Sequence, residues 1–292
     1  MKKIKYFIRD VLRILLGRYL YTYIRFLFVH KYIPNLNKPS SFSEKIIFRK
    51  LYDNPKKYSS FVDKYTVRKY IESKVGSDYL IPLLKAKKFI TPSDFDSLPN
   101  EFVIKTSNGG GGENVLIVNN KNSLNLDEIC DRFNNYLKVK IGKKIDEYFY
   151  DIEQPMILFE KLLRDDFYGY PPDFKIHIFN GIKNKKIIQI DEGRFNHHKR
   201  SLYNEKKEKL PFNIQPKYES VSDNFPWPKN WNEMLDISMK LADDFKYVRV
   251  DLYNVNGKIF FGELTFCHGS GWEPIYPKKY DFLLGKYWHE YE

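Results

Sequence analysis

The stretch Phe102-Val-Ile-Lys105-Thr-Ser107-Asn-Gly109-Gly110-Gly111-Gly112-Glu-Asn-Val-Leu-Ile-Val118 decides the reading of this chain. Two short apolar runs flank four consecutive glycines, which predicts a strand, a glycine loop and a returning strand. Glycine has no Cβ, so such a loop can bring backbone N–H groups close against a polyphosphate. The glycine motifs of P-loop and dinucleotide sites open a helix instead, and neither fits. No Gly-Lys-Ser/Thr follows, and Asn114 stands where a Gly-x-Gly-x-x-Gly pattern counted from Gly109 needs its third glycine.

Far downstream, Tyr247-Val-Arg249-Val-Asp251-Leu-Tyr253 turns at Asn256-Gly257 into a second strand that carries Glu263-Leu-Thr265. Alternation puts Arg249 and Asp251 on one face, and Glu263 and Thr265 on one face of the partner strand. Asp173 and Lys175 repeat the arrangement on an earlier strand. Carboxylates are hard oxygen ligands suited to Mg²⁺, and an arginine suits the charge of a phosphoryl group in transit. Taken alone, the hairpin also reads as a cross-strand salt bridge on a solvated face, and the glycines as a mobile surface loop. Taken together, they read as the two halves of a nucleotide-triphosphate site.

With 292 residues, 42% of them hydrophobic and 17% aromatic, the chain can bury a large core and is not disordered. A prior of roughly 100–200 residues per domain suggests about two lobes. Cys130 and Cys267 lack Cys or His partners at metal-ligand spacing, so neither a disulfide framework nor a zinc site is expected, and a reducing cytoplasm fits. A formal net charge of +12 favours an anionic partner: nucleic acid, an acidic membrane face, a nucleotide or an acidic sugar polymer. Residues Val11 to Val29 are rich in Leu, Ile, Tyr and Phe, but Arg13, Arg18 and Arg25 interrupt them, which rules against a spanning helix. A basic helix of this kind can lie on an anionic membrane surface at the inner face of the membrane. It can equally pack on the protein body with its arginines in water.

The organisation expected is α+β: a basic helical extension over residues 1–37, a helical subdomain over 38–98, a small lobe with the glycine loop over 99–163, and a large lobe over 164–292. Helices are expected from Ser43, from Asp63, over Leu126–Leu137 and over Trp231–Phe245. Strands are expected over 155–163, 172–179, 186–191, 247–253 and 258–265, with Asn-Gly turns that argue an antiparallel sheet.

Several of these pieces, in this order, resemble the ATP-grasp ligases. They are Lys105 before the glycine loop, Phe159-Glu160-Lys161-Leu162-Leu163, Asp173-Phe-Lys175-Ile-His-Ile-Phe-Asn-Gly181, Arg249-Val-Asp251-Leu-Tyr and Gly262-Glu263-Leu-Thr265-Phe. Ser41-Phe-Ser-Glu-Lys45 and Asp63-Lys-Tyr65 further resemble the TupA-like branch, named for teichuronopeptide synthesis. The resemblance runs from about residue 38 to residue 288 and implies an ATP-grasp fold, two α+β lobes gripping ATP with Mg²⁺. It implies phosphate contacts from Lys105 and Lys175, with Ser107 and Asp173 nearby. It implies a lid of Gly109, Gly110, Gly111 and Gly112, and an adenine hinge at Glu160, Lys161 and Leu162. It places the metal at Asp251 and Glu263, and gives Arg249 and Lys175 the catalytic roles. Many ATP-grasp enzymes carry Glu-x-Asn at the metal, whereas this chain has Glu263-Leu264-Thr265, which makes Thr265 a weaker oxygen donor.

The reaction implied is activation of a carboxylate as an acyl phosphate followed by attack of an amine, giving an amide, ADP and phosphate. The partners expected are a carboxylate-bearing sugar or polysaccharide and an amine, with no nucleic acid. Arg194, His268, Arg200, Ser270 and Trp272 are the candidate substrate contacts, since arginine holds carboxylates in bidentate fashion and tryptophan can stack on a sugar ring. Two alternatives stay open at this point: a kinase of the same fold acting on a sugar hydroxyl, and a non-catalytic binder of anionic glycan or nucleic acid.

Overall fold

A computed structural model describes residues 2–110, 112, 114–181, 184–193 and 197–291. The chain begins with α1 (Lys2–His30), which Gly17 breaks at φ 68° into two helical halves. Helix α2 (Phe42–Tyr52) follows, started by a capping box. The Ser41 hydroxyl accepts the Glu44 N–H, and the Glu44 carboxylate accepts the N–H groups of Asn35, Ser40 and Ser41, each at 2.9 Å. Short α3 (Ser59–Val62) and α4 (Val67–Val75) complete the first helical layer.

A small antiparallel sheet comes next, built from β1 (Leu83–Lys87), β2 (Phe102–Thr106), β3 (Val115–Val118) and β4 (Ile157–Glu160) in the order β1-β4-β2-β3. Strand β1 precedes residue 99, so this sheet draws on more of the chain than the glycine hairpin suggested. One face, with Phe102, Ile104, Ile157 and Phe159, packs on Phe95 and on Ile129 and Phe133 of α5 (Leu126–Tyr136). Register fixes what the other face carries: Val103 lies opposite Glu160, and Lys105 opposite Leu158. Helix α6 (Ile141–Ile145) follows α5.

The large sheet has the order β10-β9-β5-β6-β7, all antiparallel. Its strands are β5 (Asp173–Phe179), β6 (Lys185–Glu192), β7 (Lys199–Tyr203), β9 (Tyr247–Val255) and β10 (Lys258–Thr265). A two-stranded ribbon joins β8 (Asn213–Ile214) to β11 (Ile275–Tyr276), and the helices end with α7 (Trp231–Ala242) and α8 (Lys279–Tyr287). Phe174, Ile176, Ile178, Val248, Val250 and Leu252 share one face and form the main core with Trp231, Met234, Ile237 and Leu241 of α7. Each such side chain taken fully from water contributes roughly 1.5–3 kcal/mol. The opposite face is apolar at one end, where Phe179 and Tyr247 lie under Phe42 and Trp288. Towards the other end the same alternation brings up His177, Lys175, Asp173, Arg249 and Asp251.

Candidate nucleotide and ligase site

The charged half of that face is a connected network. The Lys175 ammonium donates to Asp251 at 2.8 Å and lies 3.2 Å from Asp173. Arg249 grips Asp251 with two bonds, Nε to Oδ1 at 2.6 Å and Nη2 to Oδ2 at 2.7 Å, which fixes the plane of the guanidinium. A further Nη2 bond reaches Glu263 at 3.0 Å, and the Thr265 hydroxyl donates to the same Glu263 oxygen at 3.3 Å. Burial opposes the charges on Lys175 and Arg249. Asp173 and Asp251 outweigh it for Lys175, and Asp251 and Glu263 for Arg249, so both stay above their ordinary pKa values.

Glu263 joins this network because β10 carries a bulge. Phe261 pairs with Leu252, Gly262 is extra, and Glu263 pairs with Asp251. Continued without the bulge, the register would set Glu263 opposite Val250, on the apolar face. A Cβ on Gly262 would meet the Tyr253 ring at 3.1 Å and the Asp251 carbonyl at 3.2 Å, so glycine is what the tight bulge accommodates.

On the small sheet, Lys105 pairs with Glu160 at 2.6 Å, and Arg68 lies 3.7 Å from the other Glu160 oxygen. Between the sheets stands Lys64, a residue that reading for site positions missed. Its ammonium donates to the Gly109 carbonyl at 2.5 Å and its backbone N–H to the Ser107 carbonyl at 2.8 Å. Burial lowers its pKa, against the pull of Glu263 on the large sheet, and it also feels Lys105 and Glu160 on the small one. The available signal was its place in Asp63-Lys64-Tyr65, a fragment that carries no chemistry-specific spacing.

In the glycine loop, Gly109 and Gly112 take φ of 74° and 83°, a region other residues enter with strain, and Gly110 faces open space. Gly111 lies outside the described residues. Asn114 ties the base of the loop by donating to the Thr106 hydroxyl and the Asn108 carbonyl, both at 2.8 Å. Ser107, expected among the phosphate contacts, is fully buried and has its hydroxyl spent inside the protein, donating to Asp63 at 2.5 Å and accepting the Met156 N–H at 2.9 Å. At the hinge, the Lys161 N–H is taken by the Pro82 carbonyl at 3.0 Å, and Leu162 is buried.

The expected substrate residues divide. Arg194 lies outside the described residues. Arg200 is on β7, where it donates to Asp191 at 2.6 Å and to Glu273 at 2.8 Å. His268 is buried beside Arg249, with Nδ1 2.7 Å from Nη1. A guanidinium only donates, so Nδ1 accepts and the ring proton sits on Nε2, which faces the Glu273 carboxylate at 3.2 Å. Burial holds His268 below its usual pKa, in keeping with this neutral tautomer. Arg200 and His268 thus meet through Glu273. Ser270 and Trp272 face elsewhere. The Ser270 hydroxyl accepts from Lys50 at 2.7 Å, and the Trp272 ring carries the Arg25 guanidinium at 4.0 Å, so that ring face is occupied by α1 rather than open to a sugar.

The donor set suits Mg²⁺. Asp251 and Glu263 offer hard oxygens on neighbouring strands, and no cluster of three or more His, Cys, Asp or Glu stands at metal distance among the described residues. Mg²⁺ is typically held by one or two carboxylates together with substrate phosphates, not by an all-protein cage. Four cationic side chains, Lys64, Lys105, Lys175 and Arg249, stand beside the Glu160, Asp251 and Glu263 carboxylates.

A family model described as TupA-like ATPgrasp matches residues 44–289. Among solved structures, the chain is similar to D-alanine-D-alanine ligase from Helicobacter pylori, at 15% identity and a TM-score of 0.43 over 80% of this chain and 64% of that one. It is also similar to D-alanyl-alanine synthetase A from Vibrio cholerae (12%, TM-score 0.42, 74% and 57%) and to L-amino acid ligase from Bacillus licheniformis (13%, TM-score 0.45, 78% and 49%). The chain therefore spans about half to two thirds of the length of these structures. No curated protein matches it.

Proposed function

The chain belongs to the TupA-like ATP-grasp family, and from that premise we propose that it is an ATP-dependent carboxylate–amine ligase. Its acid is a uronic acid of a surface polysaccharide or of a polysaccharide precursor, and its other substrate an amino acid or amine. The observation that carries this reading is the buried Lys175–Asp251–Arg249 network, which reaches out to Glu263, with Lys64 and the Lys105–Glu160 pair facing it. When bound, Mg–ATP supplies the phosphoryl group that turns a carboxylate into an acyl phosphate.

The chain's own residues place and neutralise. Lys64, Lys105 and Lys175 bring positive charge to the phosphates, while Asp251 and Glu263 are the residues that would hold the metal, with Thr265 as a weak third donor. Arg249 cannot swing away, because Asp251 holds it in two-point contact and His268 backs its remaining nitrogen. The loop that holds Gly109, Gly110 and Gly112 would keep water from a reactive acyl group. No protein nucleophile is required. Cys267, the thiol nearest this network in sequence, is buried, and burial together with Glu147 pushes its pKa up, away from the reactive thiolate.

Mass spectrometry on reactions of the chain with ATP, Mg²⁺, a panel of uronic acids and their nucleotide-linked forms, and a panel of amino acids tests the proposal. ADP, phosphate and an amide are expected only when acid and amine are both present. Release of AMP and pyrophosphate contradicts the acyl-phosphate route. A phosphorylated sugar that forms without amine and resists hydroxylamine assigns the site to a kinase instead.

A further inference from the structure

Helix α1 is amphipathic in the wrong sense for a helix that faces water. Its arginines turn inward. Arg13 donates to the Lys143 and Lys144 carbonyls at 3.0 and 3.1 Å and pairs with Asp146. Arg18 donates to the Leu51 carbonyl at 2.8 Å, and Arg25 lies on Trp272. His30 closes the far end, with Nε2 2.9 Å from the Gly271 carbonyl. What the helix leaves outside is apolar: Ile14 is 81% exposed, Leu15 75% and Phe28 69%, with Leu20, Ile24 and Leu27 beside them. On the C-terminal half these positions recur at Leu20, Ile24, Leu27 and Phe28, the spacing of a single helical stripe. Scattered exposed leucines need no partner, but a stripe of them above inward-turned arginines does.

Charge says what covers it. The first 40 residues hold nine Lys or Arg and a single acid, Asp10, so most of the net charge of +12 lies here. Lys31 and Lys38 are exposed just past the stripe, and Lys278 stands over the Tyr32 ring. Two copies meeting through this face would set like charges against each other, whereas an anionic lipid surface satisfies stripe and charge together. Among the described residues no helix is long and apolar enough to cross a membrane.

The geometry points to α1 as an in-plane anchor that docks the enzyme on an anionic bilayer, with Ile14, Leu15, Leu20, Ile24, Leu27 and Phe28 in the headgroup–acyl boundary. The break at Gly17 lets each half of the helix settle its own stripe. Because Gly271 and Trp272, through His30 and Arg25, tie α1 to the segment that follows the metal hairpin, docking sets the ligase cleft at a fixed attitude to the membrane, where a lipid-borne or surface-bound glycan would present its carboxylate.

Flotation of the full chain with phosphatidylcholine vesicles, with and without phosphatidylglycerol, tests the anchor. Binding is expected to phosphatidylglycerol vesicles, to be about tenfold weaker on phosphatidylcholine alone, and to fall with salt. The double substitution Leu15→Asp and Phe28→Asp is expected to lower binding by about tenfold or more, with an unchanged circular dichroism spectrum. Should that variant lose its fold, Phe28→Trp gives an independent reading, since its emission should shift to the blue and be quenched by brominated lipid. Absence of binding to anionic vesicles, binding indifferent to Leu15 and Phe28, or a Phe28→Trp emission that vesicles leave unchanged overturns the proposal. So does a lipid-free dimer, seen by sedimentation equilibrium, that the double substitution dissolves.

Discussion

Replacing Glu263 by glutamine is expected to slow ATP turnover about a hundred- to a thousandfold while leaving the melting temperature within a few degrees. Glutamine keeps the shape of the side chain and an oxygen to accept from Arg249 and Thr265, but it removes the negative charge that a hard cation needs. The buried Arg249 keeps both its bonds to Asp251, so the loss of charge leaves it paired. Asp251 is a poorer choice for this test, because its carboxylate lies buried between Lys175 and Arg249 and its removal would expose two buried charges to one another. Initial rates of ADP release across a range of Mg²⁺ concentrations, read beside a thermal melt, give the answer. Turnover within threefold of the parent chain would remove Glu263 from the metal's company.

A second substitution far from the cleft should act on stability instead. Glu44→Ala is expected to cost about 3–5 kcal/mol, because three N–H groups, of Asn35, Ser40 and Ser41, lose a buried ionic acceptor at one stroke. For a chain of this size that corresponds to a fall of roughly 10 °C in melting temperature. The effect bears on function, since α2 supplies three cations that the rest of the fold depends on. Lys45 donates to the Trp288 carbonyl, Arg49 to the Tyr247 and Phe266 carbonyls, and Lys50 to Ser270. Glu44→Gln, which keeps one oxygen for these donors, should lose less. A loss below 3 °C for the alanine variant would mean that water or relaxed backbone replaces the carboxylate at little cost.

How far the sequence carried the reading depends on whether a residue's partner was local. The glycine hairpin and the Asn-Gly turn were legible because flanking strands and turn residues lie side by side, and Asn256 and Gly257 do take positive φ. The polar face of β5 and β9 was legible because alternation is a property of each strand alone. Glu263 reached that face for a reason that hairpin counting does not give. From a two-residue turn it belongs opposite Val250, and only the bulge at Gly262 returns it to Asp251. A glycine inside a strand was the signal.

The stretch from Asp191 to Arg200 is dense in polar residues, yet the Asp191 and Arg200 side chains satisfy one another on paired strands, so their polarity marks a network and not exposure. For Trp272 the limit was of another kind. Its ring partner, Arg25, is some 250 residues away in the chain, a separation at which no spacing rule speaks. Lys64 escaped for the same reason, its charge gaining meaning only where the two sheets meet.

The central claim is that the small sheet's Lys105 and the large sheet's Lys175, Asp251 and Glu263 hold one Mg–ATP between them. A crystal structure of the chain with Mg²⁺ and a non-hydrolysable ATP analogue tests it most directly. Phosphate oxygens within hydrogen-bond reach of both lysines are expected, with the metal at about 2.0–2.1 Å from oxygens of Asp251 and Glu263. A nucleotide seated away from these lysines, or a metal bound to neither carboxylate, would contradict the account.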